Sequence, residues 1–342
     1  MAGNLLDTYV IGFDRAIRET VETKGGKLRP YVQLATGDLF RKEGVYQRTS
    51  GGGLPAEVTN RFGDSPVSDI DYSRRRTSRT PYHDGQFMDW VDLSKMGTDP
   101  RNAKLNVMRN KFLRREDLTL DTAILGLAKG GTNGTTDVYL TNAVNNIYDG
   151  ATAPDVGFKY DEAFIPALQQ FGNNNVDIET DIPVFKISWN QWRDMMKDDN
   201  FINFDYTAAR PIDGSVGQIY DYMGAKFCIS NILPYFAAEE CSVSSDGSSD
   251  DGDLALASTD INTAVGKWSE ITTTGGSNNG VYRAAYAFVK DASLLEINPD
   301  MTTKVSERAD KSFNYYAYMK AEFGAVRMEE EKVVVIPCKE GV

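Results

Sequence analysis

Four arginines crowd one short stretch, Arg74, Arg75, Arg76 and Arg79, and they carry the clearest chemistry in the chain. A guanidinium keeps its charge at any working pH and grips a carboxylate or phosphate through parallel hydrogen bonds. The carboxylates that would answer them are Glu329, Glu330 and Glu331 in one acidic run, and Asp89 and Asp92 just downstream. Residues of this kind join surfaces; they do not make a reaction. Adjacent glutamates on a strand point to opposite faces, so Glu329 to Glu331 form no converged acid/base pair. The single histidine, His83, sits in a TPYHDG turn away from any serine or cysteine elbow, which argues against a histidine-based triad. Cys228, Cys241 and Cys338 are scattered and no CxxC occurs, so a zinc site lacks ligands. Asp246, Asp250, Asp251 and Asp253 lack the alternation of a calcium loop. The glycine-rich run from Gly130 to Thr136 lacks the Gly-Lys-Ser/Thr ending of a phosphate loop. No catalytic residue, cofactor or metal is expected.

The arginines belong to an unusual element. From Gly44 to Tyr82 the chain is rich in glycine and arginine and has almost no apolar periodicity, so it builds no core of its own. Turns at Gly51-Gly52-Gly53, Gly63-Asp64-Ser65-Pro66 and His83-Asp84-Gly85 punctuate it, and an extended two-stranded hairpin fits, with the arginines on the returning limb. Such an arm needs a partner to order it, and another copy of the same chain is the natural one. Charge agrees. Residues 24 to 80 hold eleven Lys/Arg against six Asp/Glu, a balance of +5, while the whole chain of 342 residues carries −12. A basic arm on an acidic body suits contacts between subunits. Only Tyr72 and Tyr82 accompany the arginines, which is too few aromatics for nucleic-acid recognition.

Around this arm the elements are legible. Leu6, Val10, Phe13, Ile17 and Val21 mark a short amphipathic helix ending at Gly25-Gly26. Lys27 to Leu39 and Phe87 to Leu93 read as strands. Thr98 or Asp99 caps a long helix with Pro100 in its first turn. Leu105, Met108, Phe112, Leu120, Ile124 and Leu127 line its apolar face, interrupted by a charged break at Arg114 to Asp117. It ends at Gly130-Gly131, and roughly 30 residues would span about 45 Å. From Asn142 to Pro299 helices and strands alternate as in a compact α/β unit. Phe158 to Phe171 is helical, Val184 to Ser188 a strand, and Ser188 with Gln191 has capping-box spacing, with Trp189, Trp192 and Met195 on the buried side. Ala225 to Leu233 and Tyr282 to Val289 are strands, and the acidic, serine-rich tract Glu239 to Gly280 is an exposed loop. Alternation from Phe313 to Phe323, then Gly324 as a bend and Val333 to Ile336 as a buried strand, closes the pattern. No apolar run approaches the roughly 18 residues of a membrane span. Three cysteines are too few for a disulfide framework and point to a reducing compartment.

This order of elements resembles the major capsid protein of tailed bacteriophages, the Hong Kong 97 (HK97) type. TKGGKLRPYV (Thr23 to Val32), RFGDSPVSDIDYSRRR (Arg61 to Arg76), DLSKMGTDPRN (Asp92 to Asn102) and FGAVRMEEEKVVVIPC (Phe323 to Cys338) carry the likeness, which extends over nearly the whole chain. The resemblance implies an α+β HK97-like capsid fold. Residues 1–35 would be an N-terminal arm, 36–86 the extended loop, and 87–140 a peripheral domain around the spine helix. Residues 141–299 would be the axial domain with its acidic insert at 239–280, and 300–342 the returning peripheral strands. It further implies a subunit that self-assembles as hexamers and pentamers into an icosahedral shell around double-stranded DNA, which it holds without sequence-specific contacts and without a membrane. The chain begins directly with its arm, so a separate scaffolding protein is expected, beside a portal and a decoration protein. Assembly would take place in the bacterial host cytoplasm and the product is the virion. Some relatives form a Lys–Asn cross-link; Lys42 lies in the loop, but no acid catalyst can be placed. Arg74, Arg75, Arg76 and Arg79 would then face Glu329 to Glu331, Asp89 or Asp92 of a neighbour. An encapsulin-like nanocompartment shell, a carboxylate-dependent hydrolase and a tail or adhesin subunit are the alternatives.

Overall fold

The computed structural model of the chain describes residues 25–36, 43–50, 54, 57, 70–88, 101–138, 140, 157–198, 221–231, 233, 235–237 and 281–340. The expected N-terminal helix at Leu6 to Val21, Lys42, Asp89, Asp92, the Thr98/Asp99 cap, Cys241 and the whole acidic tract, 239–280, lie outside the described residues.

In chain order the elements begin with β1 (Gln33–Thr36), β2 (Glu43–Ser50), β3 (Asp71–Ser78), β4 (Thr80–Met88), helix α1 (Arg101–Leu125), β5 (Ala128–Gly130) and β6 (Thr136–Val138). There follow α2 (Ile165–Asn173), β7 (Val184–Ile187), α3 (Trp189–Met195), β8 (Asp221–Tyr222), β9 (Ala225–Ile229) and β10 (Tyr235–Ala237). The last strands are β11 (Val281–Phe288), β12 (Ser293–Ile297), β13 (Thr302–Arg308), β14 (Asn314–Arg327) and β15 (Val333–Glu340).

They form three sheets. The first is built on β14, which pairs antiparallel with β4 along one edge and with β13 and then β12 along the other; β1 joins β12 in parallel. Alternation dictates its faces. Ala317, Met319, Ala321 and Phe323 are buried with Met108, Phe112, Leu120 and Ile124 of α1, so the helix lies across this sheet as the apolar spacing requires. The second sheet runs β10-β11-β7-β9-β8, with β15 along the free edge of β11 through eight register positions. One face joins the α1 core through Val184, Tyr286, Phe288, Val333 and Val335. The other packs under α2 and α3 through Phe164, Phe171, Phe185, Met195, Phe227, Val334 and Ile336. A sheet buried on both faces explains the unbroken apolar run at β15, VVVI. The third sheet, β2-β3-β5-β6, holds the arm.

The sheets cut across the expected segment boundaries. β12, before residue 299, belongs to the α1 sheet, and β15, beyond it, belongs to the second. Further differences have physical causes. The long helix ends at Leu125 rather than at Gly130, because the buried Arg327 guanidinium donates to the carbonyls of Ile124 and Gly126 and caps its C-terminal end. Ala128–Gly130 is therefore a strand, and 25 residues give α1 a length of about 37 Å. The TPYHDG segment is strand, not turn. Gly85 is needed there because the Tyr316 ring lies over it, and a Cβ would meet the Tyr316 hydroxyl at 2.0 Å. Lys27 to Leu39 is a strand only from Gln33, after a 3-10 turn at Arg29–Tyr31. The Ser188–Gln191 capping box is present, but Trp189 turns outward at 42% exposure while Met195 takes the buried place. Phe313 is also 65% exposed, lying before β14 with a positive φ.

Candidate assembly interface

The two limbs of the arm pair as expected of a hairpin, while the expected turns at 51–53 and 63–66 lie outside the described residues. β2 and β3 pair antiparallel from Glu43↔Ser78 to Ser50↔Asp71. Beyond Ser78 the same limb passes Arg79 and continues as β4 in the first sheet. The crossing point is tight. A Cβ at Gly324 of β14 would stand 2.4 Å from the Ser78 carbonyl, so only glycine lets the limb pass over the central strand. Gly324 thus marks a crossing in a continuous strand rather than a bend.

Each arginine of the cluster has its own place. Arg75 is buried, and its Nη2 donates to both oxygens of Glu330 at 3.0 and 2.8 Å. Arg48, diagonal to it on β2, donates to Glu330 at 3.2 Å and to Glu331 at 3.0 Å. Arg327 brings its Nε to 3.5 Å from the same Glu330, while its Nη1 caps α1 and its Nη2 donates to the Val138 carbonyl at 3.0 Å. One carboxylate therefore collects three guanidiniums, from the arm, its partner strand and the end of β14. Burial pushes the Arg327 pKa down, and nearby Arg75 adds to that, with Glu330 opposing. Arg76 pairs with Glu43 across the hairpin. Arg79, buried at the crossing, lies 3.5 Å from Glu296 and 3.7 Å from Glu322. Arg74 is exposed.

The sequence reading assigns Glu329 to Glu331 to a neighbouring subunit; in the folded chain Glu330 and Glu331 are engaged by Arg75 and Arg48 of the same chain. The three glutamates occupy the turn between β14 and β15, not a strand, which is how Glu330 turns inward while Glu331 stays exposed. Glu329 meets Lys332 at 3.4 Å. Asp89 and Asp92 lie outside the described residues. Arg48 and Arg327 were not singled out from sequence; their signal was weak, the one basic residue of β2 and the last residue of β14.

The far end of the arm is different. Leu54, Ile70 and Tyr72 are 98%, 52% and 66% exposed, with Asp71 and Glu57 beside them in sequence and also exposed. Among the described residues, then, the root of the arm is held by buried charge, while these three apolar side chains farther along it are exposed.

A second charged centre lies inside the body. Asp121 of α1 accepts from Lys186 of β7 at 2.7 Å through both oxygens, and from the Tyr286 hydroxyl of β11. All three are fully or almost fully buried. Burial pushes Asp121 up to about 6, outweighing the opposing pull of Lys186, and it pushes Tyr286 up as well. One turn earlier, buried Asp117 accepts the backbone N–H groups of Lys27 and Leu28 at 3.3 Å each. Lys27 in turn donates to the Ile229 carbonyl at 2.6 Å. Glu116, also buried, is raised to about 7, chiefly by burial, with Arg29 at 3.8 Å opposing. Asp117 and Asp121 thus anchor the helix, the first to the incoming chain and the second to the second sheet. A cleft of about 560 Å³ separates the arm root from the end of α1, lined by Glu43, Arg76, Thr77, Lys129 and Arg327 among others.

Comparison with known proteins gives a consistent result. The sequence profile of a family described as "Phage capsid protein" matches residues 5–340. A search of curated proteins finds no match. Among solved structures, the cyanophage Pam1 capsid subunit aligns over 99% of this chain and 99% of its own, at 12% identity and a TM-score of 0.64. The capsid of Helicobacter pylori bacteriophage KHP30 aligns over 99% and 98%, at 9% identity and 0.63. The capsid of cyanophage P-SCSP1u aligns over 96% and 93%, at 11% identity and 0.62.

Proposed function

The chain belongs to the phage capsid protein family, and on that premise we propose that its copies, as hexamers and pentamers, close an icosahedral shell around a double-stranded DNA genome. The fold is the HK97-like capsid fold, the role is that of a shell-forming structural protein, and its place is the virion. The reading beyond that rests on the arm. Its root is fixed by Glu330, and its tip carries Leu54, Ile70 and Tyr72 into solvent. An isolated chain gains nothing from exposing these groups. A neighbouring copy that covers them removes apolar area from water at each of many repeated contacts. In this proposal residues 36–86 drape over the next subunit, and exposed Arg74 makes contacts there, with Asp89 or Asp92 as candidate acceptors. Arg75, Arg76 and Arg79 hold the arm at the angle that reaches it.

A separate scaffolding protein, a portal and a decoration protein complete the proposed partners, with assembly in the host cytoplasm. The test is a tip variant, Ile70→Asp with Tyr72→Asp. Soluble folded subunits that form no particles by negative-stain imaging are the expected outcome. Normal particle yield would remove the arm from the interface.

A further inference from the structure

The charge on α1 is one-sided. Its first fifteen residues, RNAKLNVMRNKFLRR, hold six bases and no acid, in a chain with 49 acids and 37 bases. The helix has three acids, Glu116, Asp117 and Asp121, and each is 1% exposed. The solvent-facing charge of α1 is therefore entirely positive. Arg109, Lys111 and Arg115 are exposed, and Lys104 is half-buried. Among the described residues, Lys111 is the one of these four that pairs with a carboxylate. Lys111 reaches Asp84 at 3.0 Å, Lys104 reaches the neutral Phe87 carbonyl, and the Arg115 guanidinium lies 4.9 Å from the Tyr82 ring centre. Lys111 and Arg115 are four residues apart, a spacing at which like charges repel on a helix. A linear polyanion would remove that cost.

We infer that the first four turns of α1 form a contact surface for the phosphate backbone of duplex DNA, and so that this side of the subunit faces the enclosed genome. Fifteen residues span about 22 Å of helix axis. Duplex DNA carries one negative charge per ~1.7 Å, so several phosphates lie within reach of that length. Side chains of two lengths, spread around the helix with no planar aromatic among the exposed ones, suit phosphates rather than bases. The inference rests on the shell holding DNA, and its test separates the two ideas.

Acetylation of intact particles followed by mass spectrometry reads lysine access one residue at a time. Lys104 and Lys111 are expected to react several-fold more slowly in DNA-filled particles than in the same particles emptied of their genome. Lys304 and Lys320, on the opposite face of the first sheet, serve as references and should react alike in both. Equal reactivity of Lys104 and Lys111 in filled and emptied particles overturns the inference; particles found to hold no DNA overturn the functional reading beneath it. A second measurement uses unassembled full-length subunits and a random-sequence duplex. The triple variant R109Q/K111Q/R115Q should flatten the dependence of log affinity on log salt by two to three, at ~0.9 per lost phosphate contact. The charge-keeping variant K104R/K111R should leave that slope unchanged and guards against a folding effect. An unaltered slope in the triple variant overturns the inference. So does tighter binding of poly-glutamate than of the duplex, which would assign the face to an acidic protein.

Discussion

Asp121 and Glu330 are both carboxylates that gather several donors, yet they bind different parts of the molecule. Asp121 is sealed between α1 and the second sheet, and its donors, Lys186 and Tyr286, come from strands of the body itself. Glu330 sits in a turn near the surface, and two of its three guanidiniums, Arg48 and Arg75, come from the arm. A buried ion pair adds little net stability over an apolar replacement, but losing one partner leaves an uncompensated charge. The same chemistry therefore has two consequences. At Asp121 it makes the body's layers depend on one another. At Glu330 it makes the pose of a projecting limb depend on the body.

Asp121→Ala should do the most damage, since it strands Lys186 and Tyr286 in the core. A loss of about 3–5 kcal/mol is expected in denaturant unfolding of the subunit, with most of the protein insoluble. Should this variant fold and assemble normally, the two centres would not differ as argued. Glu330→Ala comes next, at about 2–4 kcal/mol, and its signature is distinct. The body should stay folded while protease cuts the β2–β3 hairpin faster and particle yield falls. Arg75→Ala in the Glu330→Ala background should add much less than it does alone, because the two residues share one interaction.

Glu116 sharpens the comparison, being a buried carboxylate whose cation is more distant. Its pKa is about 7 in the fold against an ordinary value of 4.5. The folded state thus binds a proton that the unfolded chain releases, so this stabilising contribution is complete below about pH 4.5 and is lost as pH rises through about 7. Glu116→Gln should therefore raise the unfolding midpoint at pH 8 by an amount worth roughly 1–3 kcal/mol and change it little at pH 4. The opposite order would show that Arg29 neutralises it after all. Asp300→Asn should have the smallest effect, under about 1 kcal/mol, because its pair with Arg29 is solvent-exposed.

Periodicity exposed much of this in the sequence. The alternation of β14 and the spacing of Met108, Phe112, Leu120 and Ile124 each marked an apolar face, which meet in the fold, and the capping box at Ser188 located α3. The arm was visible from what it lacks, an apolar pattern. Less legible were features that depend on residues distant in sequence. Nothing local marks Arg327 as a helix cap 201 positions from Gly126, or says that Glu330 turns back on its own chain. Glu116 and Asp117 read as a charged interruption, and Asp121 drew no notice, because partners such as the backbone near Lys27 and Lys186 lie on other elements. The basic half of that helix was plain in the letters, but its meaning required knowing that the acids beside it are hidden.

The placement of β14 and β15 has a consequence for biogenesis. One is the central strand of the first sheet and the other borders β11 through eight positions, yet both follow every other described strand in sequence. On the ribosome, neither layer can close until these strands have emerged. A nascent copy lacking these two strands has neither layer complete, and so lacks the finished surfaces with which to join its sisters.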